Sequence, residues 1–260
     1  MMRSLYTAAT GMTAQQLNLD VISNNLANVN TTGFKKSRAD FEDLMYQTLR
    51  QPGAQQAGGQ MIPTGKQVGM GVRPVAIQKI WSQGDYQQTD NQLDVAIEGQ
   101  GFFRIQKDNE DVYTRDGSFK LNNNRDIVDS NGNLLVPQMT VPENATSVVI
   151  DPNGLVTALT ADDEAVELGR IQLYTFPNPS GLMAIGRNYF RESPASGVAV
   201  PGDPGADQFG TLAQGFLEMS NVSVVDEMVN MIVAQRAYEA NSKSITTSDQ
   251  MLQTANQVKR

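Results

Sequence analysis

A chain of 260 residues with 28 acidic against 20 basic side chains, net charge −8, holds no general attraction for nucleic acid or anionic lipid. It contains no cysteine and no histidine, which excludes disulfides, thiolate and imidazole metal sites, and the usual Ser/His and Cys/His nucleophile pairs. With 40% hydrophobic and 18% charged residues it can fill a core, and its length suits one large domain or two smaller ones.

The first predicted element is a long helix. Leu5, Met12, Leu19 and Leu26 recur every seven residues, with Ala8, Gln15, Ile22 and Val29 offset by three, so one stripe is mostly apolar apart from Gln15. The opening MMRSLYTAATGMTAQQ lacks the apolar block of a secretory signal, and the chain has no apolar run of membrane-spanning length. The expectation is a soluble protein without a cleavable export signal.

The helix should end inside NNLANVNTTGFKKS, which runs from Asn24 to Ser37. Asparagine and glycine tolerate the left-handed geometry of a helix stop, and amides donate and accept at once. Asn24, Asn28, Thr32, Gly33 and Phe34 are therefore expected to form a structural joint where the chain turns outward, with Asn24 and Asn25 satisfying backbone groups of adjacent copies. Gln51 to Met70 is rich in Gly, Pro and Gln without helical or strand periodicity, and reads as an extended loop.

From Arg73 to Phe176 the pattern is β. VRPVAIQKI and LDVAIEGQGFFRI carry short apolar runs, while DSNGNLL and DPNGLV place Asn-Gly pairs at hairpin turns. A second breaker-rich stretch, Glu192 to Gly210, returns the chain toward a last helix, where Val224, Met231, Tyr238, Ile245 and Leu252 recur every seven residues beside Val225, Met228 and Ile232. The acidic excess lies entirely in the middle, for residues 1–50 carry five basic and four acidic side chains and residues 221–260 four of each. Near-neutral ends lack a long-range obstacle to packing together in many copies.

A β body has its own core to fill, so the two terminal helices read as a separate module with apolar surface left over for copies of themselves. The predicted class is α+β: long N- and C-terminal helices in a coiled-coil-like module, a central β-rich domain and an extended loop region. The expected domains are residues 1–30 with 221–260, a connecting region 31–71, and an outer domain 72–220.

No motif for chemistry survives. EGQGFF lacks the third glycine and following helix of a dinucleotide site, and TGKQVG lacks the upstream glycine and the hydroxyl of a phosphate loop. DSNGNLL begins like a calcium loop, but Leu134 and Thr140 stand at the glycine and glutamate positions. Asp85, Asp90, Asp94, Glu98 and the run Asp162, Asp163, Glu164 include pairs that a glycosidase could use, but acids so abundant read better as solvated turns and strand edges. The sequons at Asn30, Asn144 and Asn221 carry little weight without a secretory signal. No catalytic residue, cofactor, metal site, nucleic acid or small-molecule substrate is expected.

ISNNLANVNTTGFKKSRADFEDLMYQ, the block GFLEMSNVSVVDEMVNMIVAQRAYEANSKSITTSDQMLQ, and LDVAIEGQGFFRI with YTRDGSF between them resemble the axial proteins of the bacterial flagellum, the rod and hook subunits. The resemblance covers nearly the whole chain. It implies a non-enzymatic subunit of a hollow helical homopolymer, its terminal helices forming an inner layer around the export channel, with Leu5, Met12, Leu19, Ile22, Leu26, Val224, Met228, Met231, Tyr238, Ile245 and Leu252 as the assembly interface between copies. The length is similar to a rod subunit rather than a hook subunit. The loop at Tyr46, Gln51, Pro52, Gly53 and Pro63 resembles an insertion associated with the straight distal rod, with the proximal rod as the nearest alternative. A secreted adhesin or effector and a carboxylate-dependent hydrolase remain as readings of another class. Implied partners are proximal rod subunits below, hook or junction subunits above, the surrounding bushing rings and the type III export apparatus. The implied location is the basal body, with the rod crossing the periplasm after export without a cleaved signal.

Overall fold

A computed structural model describes residues 2–53, 63–108, 110–161, 164–206 and 208–258 of the chain. These fall into two compact units, one taking Met1–Leu26, Ser37–Gln78 and Ser223–Arg260, the other Ala27–Lys36 and Lys79–Val222. The class is α+β, with a helix at each end and strands between.

The first unit contains helix α1, Met2–Ala27, and helix α2, Val224–Val258. Neither contains proline, and α2 opens with the Ser223 hydroxyl accepting the Asp226 N–H at 3.4 Å, while Asp226 and Glu227 supply negative charge to its first turn. Ser4 and Ser248 place their hydroxyls 3.5 Å apart, and Asn25 Nδ2 donates to Glu227 Oε2 at 3.2 Å. Between them Gly11 faces Asn241, whose Nδ2 would lie 2.9 Å from a Cβ at that position. A step forward along α1 is thus a step back along α2, so the helices run antiparallel. At these three points the meeting side chains are small or polar, and a glycine opposite an asparagine lets the backbones approach where a leucine would not.

Two ribbons complete this unit: Ser37–Asp43 pairs with Val72–Lys79, and Tyr46–Arg50 pairs antiparallel with Lys66–Gly69. Lys66–Gly69 belongs to the stretch read as loop. Its partner Tyr46–Arg50 supplies the ladder, with Tyr46 opposite Gly69 and Gln47 opposite Val68, and cross-strand pairing overrides weak local propensity. Gln51, Pro52, Gly53 and Pro63 are exposed near the end of this ribbon, and residues 54–62 of the expected loop lie outside the described residues.

The second unit is β. Its largest sheet is antiparallel in the spatial order Met183–Gly186, Tyr189–Arg191, Glu110–Thr114, Phe103–Lys107, Leu134–Leu135, Ile127–Val128, Lys120–Leu121. A three-stranded sheet, Ala145–Ile150, Leu155–Thr160 and Ala165–Arg170, follows. Alternation is clearest in Leu155–Thr160, where Val156, Ala158 and Thr160 point inward. With Phe103, Ile105, Val112 and Ile127 they belong to the buried interior.

Both Asn-Gly pairs sit at hairpin turns as expected. Val128 pairs with Leu134 around the first, where Asp129 Oδ1 accepts the N–H groups of Asn131 and Asn133 at 2.8 and 2.9 Å; Ile150 pairs with Val156 around the second. The strands continue past Phe176 to Tyr189–Arg191, Val200–Gly202, Thr211–Gln214 and Phe216–Glu218. Strands of three or four residues are too short to show a period in sequence.

Candidate functional site: a buried charge cluster and an exposed helix face

The joint predicted around Asn28 begins where α1 stops, at Ala27. Thr31 N–H donates to the Asn28 carbonyl at 3.2 Å and Phe34 N–H to the Thr31 carbonyl at 3.3 Å, so two successive turns follow the helix. Thr32 offers its carbonyl to Asn188 Nδ2 at 3.1 Å, and Phe34 lies 4.9 Å under the Lys79 ammonium. Among the described residues of this stretch only Gly33 has a positive φ, +66°. Its N–H donates to the Glu218 carbonyl at 2.8 Å, and a Cβ there would come within 2.7 Å of the Asp116 nitrogen. The left-handed residue is therefore Gly33 and none of the asparagines. The amide that makes the buried contacts is Asn25: its Oδ1 accepts Ser37 N–H and its Nδ2 donates to Ser37 O, both at 2.8 Å, while Asn24 is exposed.

Directly after this turn comes Lys35, only 1% exposed. Its ammonium donates to Glu218 Oε1 at 2.6 Å and to the Ser82 carbonyl at 2.8 Å. Glu218 Oε2 accepts Arg115 Nε at 2.7 Å, and Gly84 N–H adds a third donor at 3.1 Å. The Arg115 guanidinium gives three of its four remaining donors to the carbonyls of Gly101, Ile97 and Gly99. Gly99 and Gly101, singled out in EGQGFF, adopt positive φ, turning their carbonyls toward Arg115 with no helix following. Three charges that burial alone would disfavour are thus kept by one another and by backbone dipoles.

Burial draws the Lys35 ammonium below the ordinary lysine value, though Glu218 opposes the shift. Burial alone would raise Glu218, but the adjacent Arg115 and Lys35 outweigh it and hold its carboxyl below the usual glutamate value. A carboxyl with a depressed folded-state pKa stabilises the fold above its unfolded-state value and loses that contribution as pH falls through the folded-state value. We expect the second unit to keep its denaturant midpoint down to about pH 5 and to lose it progressively below about pH 4.5, as followed by Trp81 emission.

The helix residues chosen from the seven-residue spacing are divided by the structure. Ile22 is buried; Leu5, Met12, Leu19 and Leu26 on α1 and Met231, Ile245 and Leu252 on α2 are half-buried. Val224, Met228 and Tyr238 are exposed. Beside them Val225, Val229, Ile232 and Val233 form an exposed strip on α2, with Val225 at 70%. The positions of α2 that are fully buried are Glu227, Ala234 and Ser248. Of the weighed acids, Asp94 is buried and accepts Asn91 Nδ2 at 2.8 Å, while Asp162 and Asp163 lie outside the described residues. No group of metal-ligating acids occurs among the described residues, and no described helix is long and apolar enough to cross a membrane.

Three family models match the chain: "Flagella basal body rod protein" over residues 5–35, "Flagellar hook protein FlgE/F/G D1 domain" over 96–158, and "Flagellar basal body rod FlgEFG protein C-terminal" over 213–258. The flagellar basal-body rod protein FlgG of Borreliella burgdorferi is 52% identical over the full length of both chains. The chain belongs to the flagellar basal-body rod protein family. The rod proteins FlgG of Caulobacter vibrioides, 48% identical over 99% of this chain and 100% of its own, and of Bacillus subtilis, 44% identical over all of both, agree. This rod protein is accordingly a structural subunit of the flagellar basal body. Its charge cluster draws one residue from each matched segment: Lys35 from the first, Arg115 from the second and Glu218 from the third.

Nothing in the local sequence marks that cluster. Lys35 and Glu218 stand 183 residues apart, and Lys35 is one of two adjacent lysines that read as a solvated basic run. The one available signal is Glu218 itself, an acid enclosed by Phe216, Leu217 and Met219 on the run into the last helix.

Proposed function

We propose that the chain is the distal rod subunit, whose copies assemble into a hollow helical tube that encloses the export channel and passes motor torque to the hook. The terminal helices, residues 1–30 with 221–260, form the inner layer by coiled-coil-like packing between copies. The connecting region 31–71 and the β-rich domain 72–220 lie outside them. Proximal rod subunits lie below, hook or junction subunits above, and the bushing rings around. The subunit reaches the periplasm-spanning rod through the flagellar export apparatus without a cleaved signal.

The observation that carries this reading is the strip Val225, Met228, Val229, Ile232 on α2: apolar, at helical spacing, and more than half exposed at every position. A subunit that works alone has no use for such a strip, and a subunit in a tube covers it with its neighbours. The distal position is supported by the ribbon that begins at Tyr46, whose exposed Tyr46, Leu49, Gln51, Pro52 and Gly53 offer an arm to adjacent copies. A strain lacking this chain is expected to build basal bodies with a shortened, hookless rod, seen by electron microscopy. Absence of the entire rod would move the chain to the proximal position, the second reading.

A further inference from the structure

Without cysteine, the chain offers an oxidant the sulfur of its 12 methionines. Met139 is buried, and Met12, Met70, Met219 and Met231 are half-buried. Among the described residues Met2, Met45, Met183, Met228 and Met251 stand in solvent. Of these five, Met228 alone belongs to the apolar strip of α2, where it is 52% exposed. Its neighbours three and four residues away on that helix face are Val224, Val225 and Ile232, all exposed, and half-buried Met231. Their side chains leave the thioether open to a small reagent. The other members of the strip are valine and isoleucine, which have no atom that a peroxide oxidises.

The Met228 sulfur can give a lone pair to one oxygen of a peroxide. An S–O bond forms as the O–O bond breaks, and the second oxygen leaves as water or an alcohol, taking up the proton of the first. Sulfur loses two electrons and the peroxide gains them. The sulfoxide is polar and accepts hydrogen bonds, whereas the thioether is a flexible apolar group. In solvent, water satisfies the new oxygen. Under an apolar covering it is left unpaired, which disfavours burial of the whole strip.

We infer that Met228 is a redox-sensitive modification site, at which oxidation by a peroxide holds free subunits out of the polymer. The inference rests on the reading of this strip as an assembly face. A subunit already in a tube has the sulfur covered, so the switch acts on free chains.

The full-length monomer is treated with hydrogen peroxide, each methionine sulfoxide is measured by peptide mass spectrometry, and seeded polymerisation is followed by light scattering. Chains with Met228 oxidised are expected to elongate seeds at least ten-fold more slowly than untreated chains, with circular dichroism unchanged. The loss should follow the sulfoxide at Met228 and not those at the other methionines. Reductases for both sulfoxide epimers, with dithiothreitol as reductant, are expected to restore elongation. Met228→Leu, whatever its own rate, is expected to elongate equally before and after peroxide; if it forms no tubes, reductase recovery of the parent decides. A Met228 that peroxide spares in the monomer, undiminished elongation once it is oxidised, or peroxide sensitivity that persists in Met228→Leu overturns the inference and leaves the assembly face standing. Met228 in finished tubes is expected to oxidise at least ten-fold more slowly than in the monomer. Equal rates would mean that the strip stays uncovered in the tube, which overturns the assembly reading and this inference together.

Discussion

With Val225 and Ile232 both replaced by Asp, the chain is expected to stay folded and to stop polymerising. The two side chains are 70% and 54% exposed, so the monomer loses little when they change. Substitutions at such surface positions typically cost within about 0.5 kcal/mol each, and Val, Ile and Asp differ little in helix propensity. In a lattice the account reverses. Each apolar side chain covered by a neighbour contributes about 1.5 to 3 kcal/mol, and a carboxylate forced into the same place adds a desolvation cost. Both positions recur in every subunit, so the loss is repeated at every contact. Circular dichroism and a denaturant melt should superimpose on the parent, while seeded assembly followed by sedimentation and electron microscopy should yield no tubes. Normal tubes from the double variant would sink the idea that this face is an assembly interface.

The second large effect belongs to Glu218. Glu218→Gln leaves Lys35 and Arg115 buried at 1% and 6% exposure without their counter-charge, and is expected to destabilise the second unit by about 3 to 5 kcal/mol. Replacing the whole cluster, Lys35→Met with Arg115→Met and Glu218→Leu, is expected to cost less than the single change, because no charge is then left stranded. Recovery should be incomplete, since the carbonyls of Gly99 and Gly101 lose the guanidinium that they share. Urea titrations followed at Trp81 give the order of midpoints: parent, triple, single. A triple variant below the single would show that the backbone contacts of Arg115 matter more than charge pairing.

The helices were legible because a seven-residue apolar repeat survives for several turns, and the hairpins because Asn-Gly fits so few backbone geometries. The polar contacts between the helices were not legible. Gly11 with Asn241 and Ser4 with Ser248 are among them, and a periodicity built on large apolar residues passes over glycine, asparagine and serine. Within the stretch expected to form a joint, Asn25 exchanges hydrogen bonds with Ser37 and Gly33 carries the positive φ, and a sequence alone does not show which of its amides has those neighbours in space. The cluster of Lys35, Arg115 and Glu218 was hidden for the plainest reason, that a charge in a sequence carries no mark of burial. The ribbon strand Lys66–Gly69 was missed because its pairing with Tyr46–Arg50 arises across the sheet and not along the chain.

The antiparallel pairing of α1 with α2 sets an order of events in time. Ser4 and Ser248, which meet in the folded chain, are separated by 244 residues of synthesis. At about 5 to 20 residues per second, the first helix waits on the order of ten to fifty seconds for the partner that covers it. Throughout that interval the α1 segment is an unmatched strip, and the first unit closes only once α2 has been made. The late-made helix decides when the early one can settle, so a chain cut short within α2 leaves α1 uncovered.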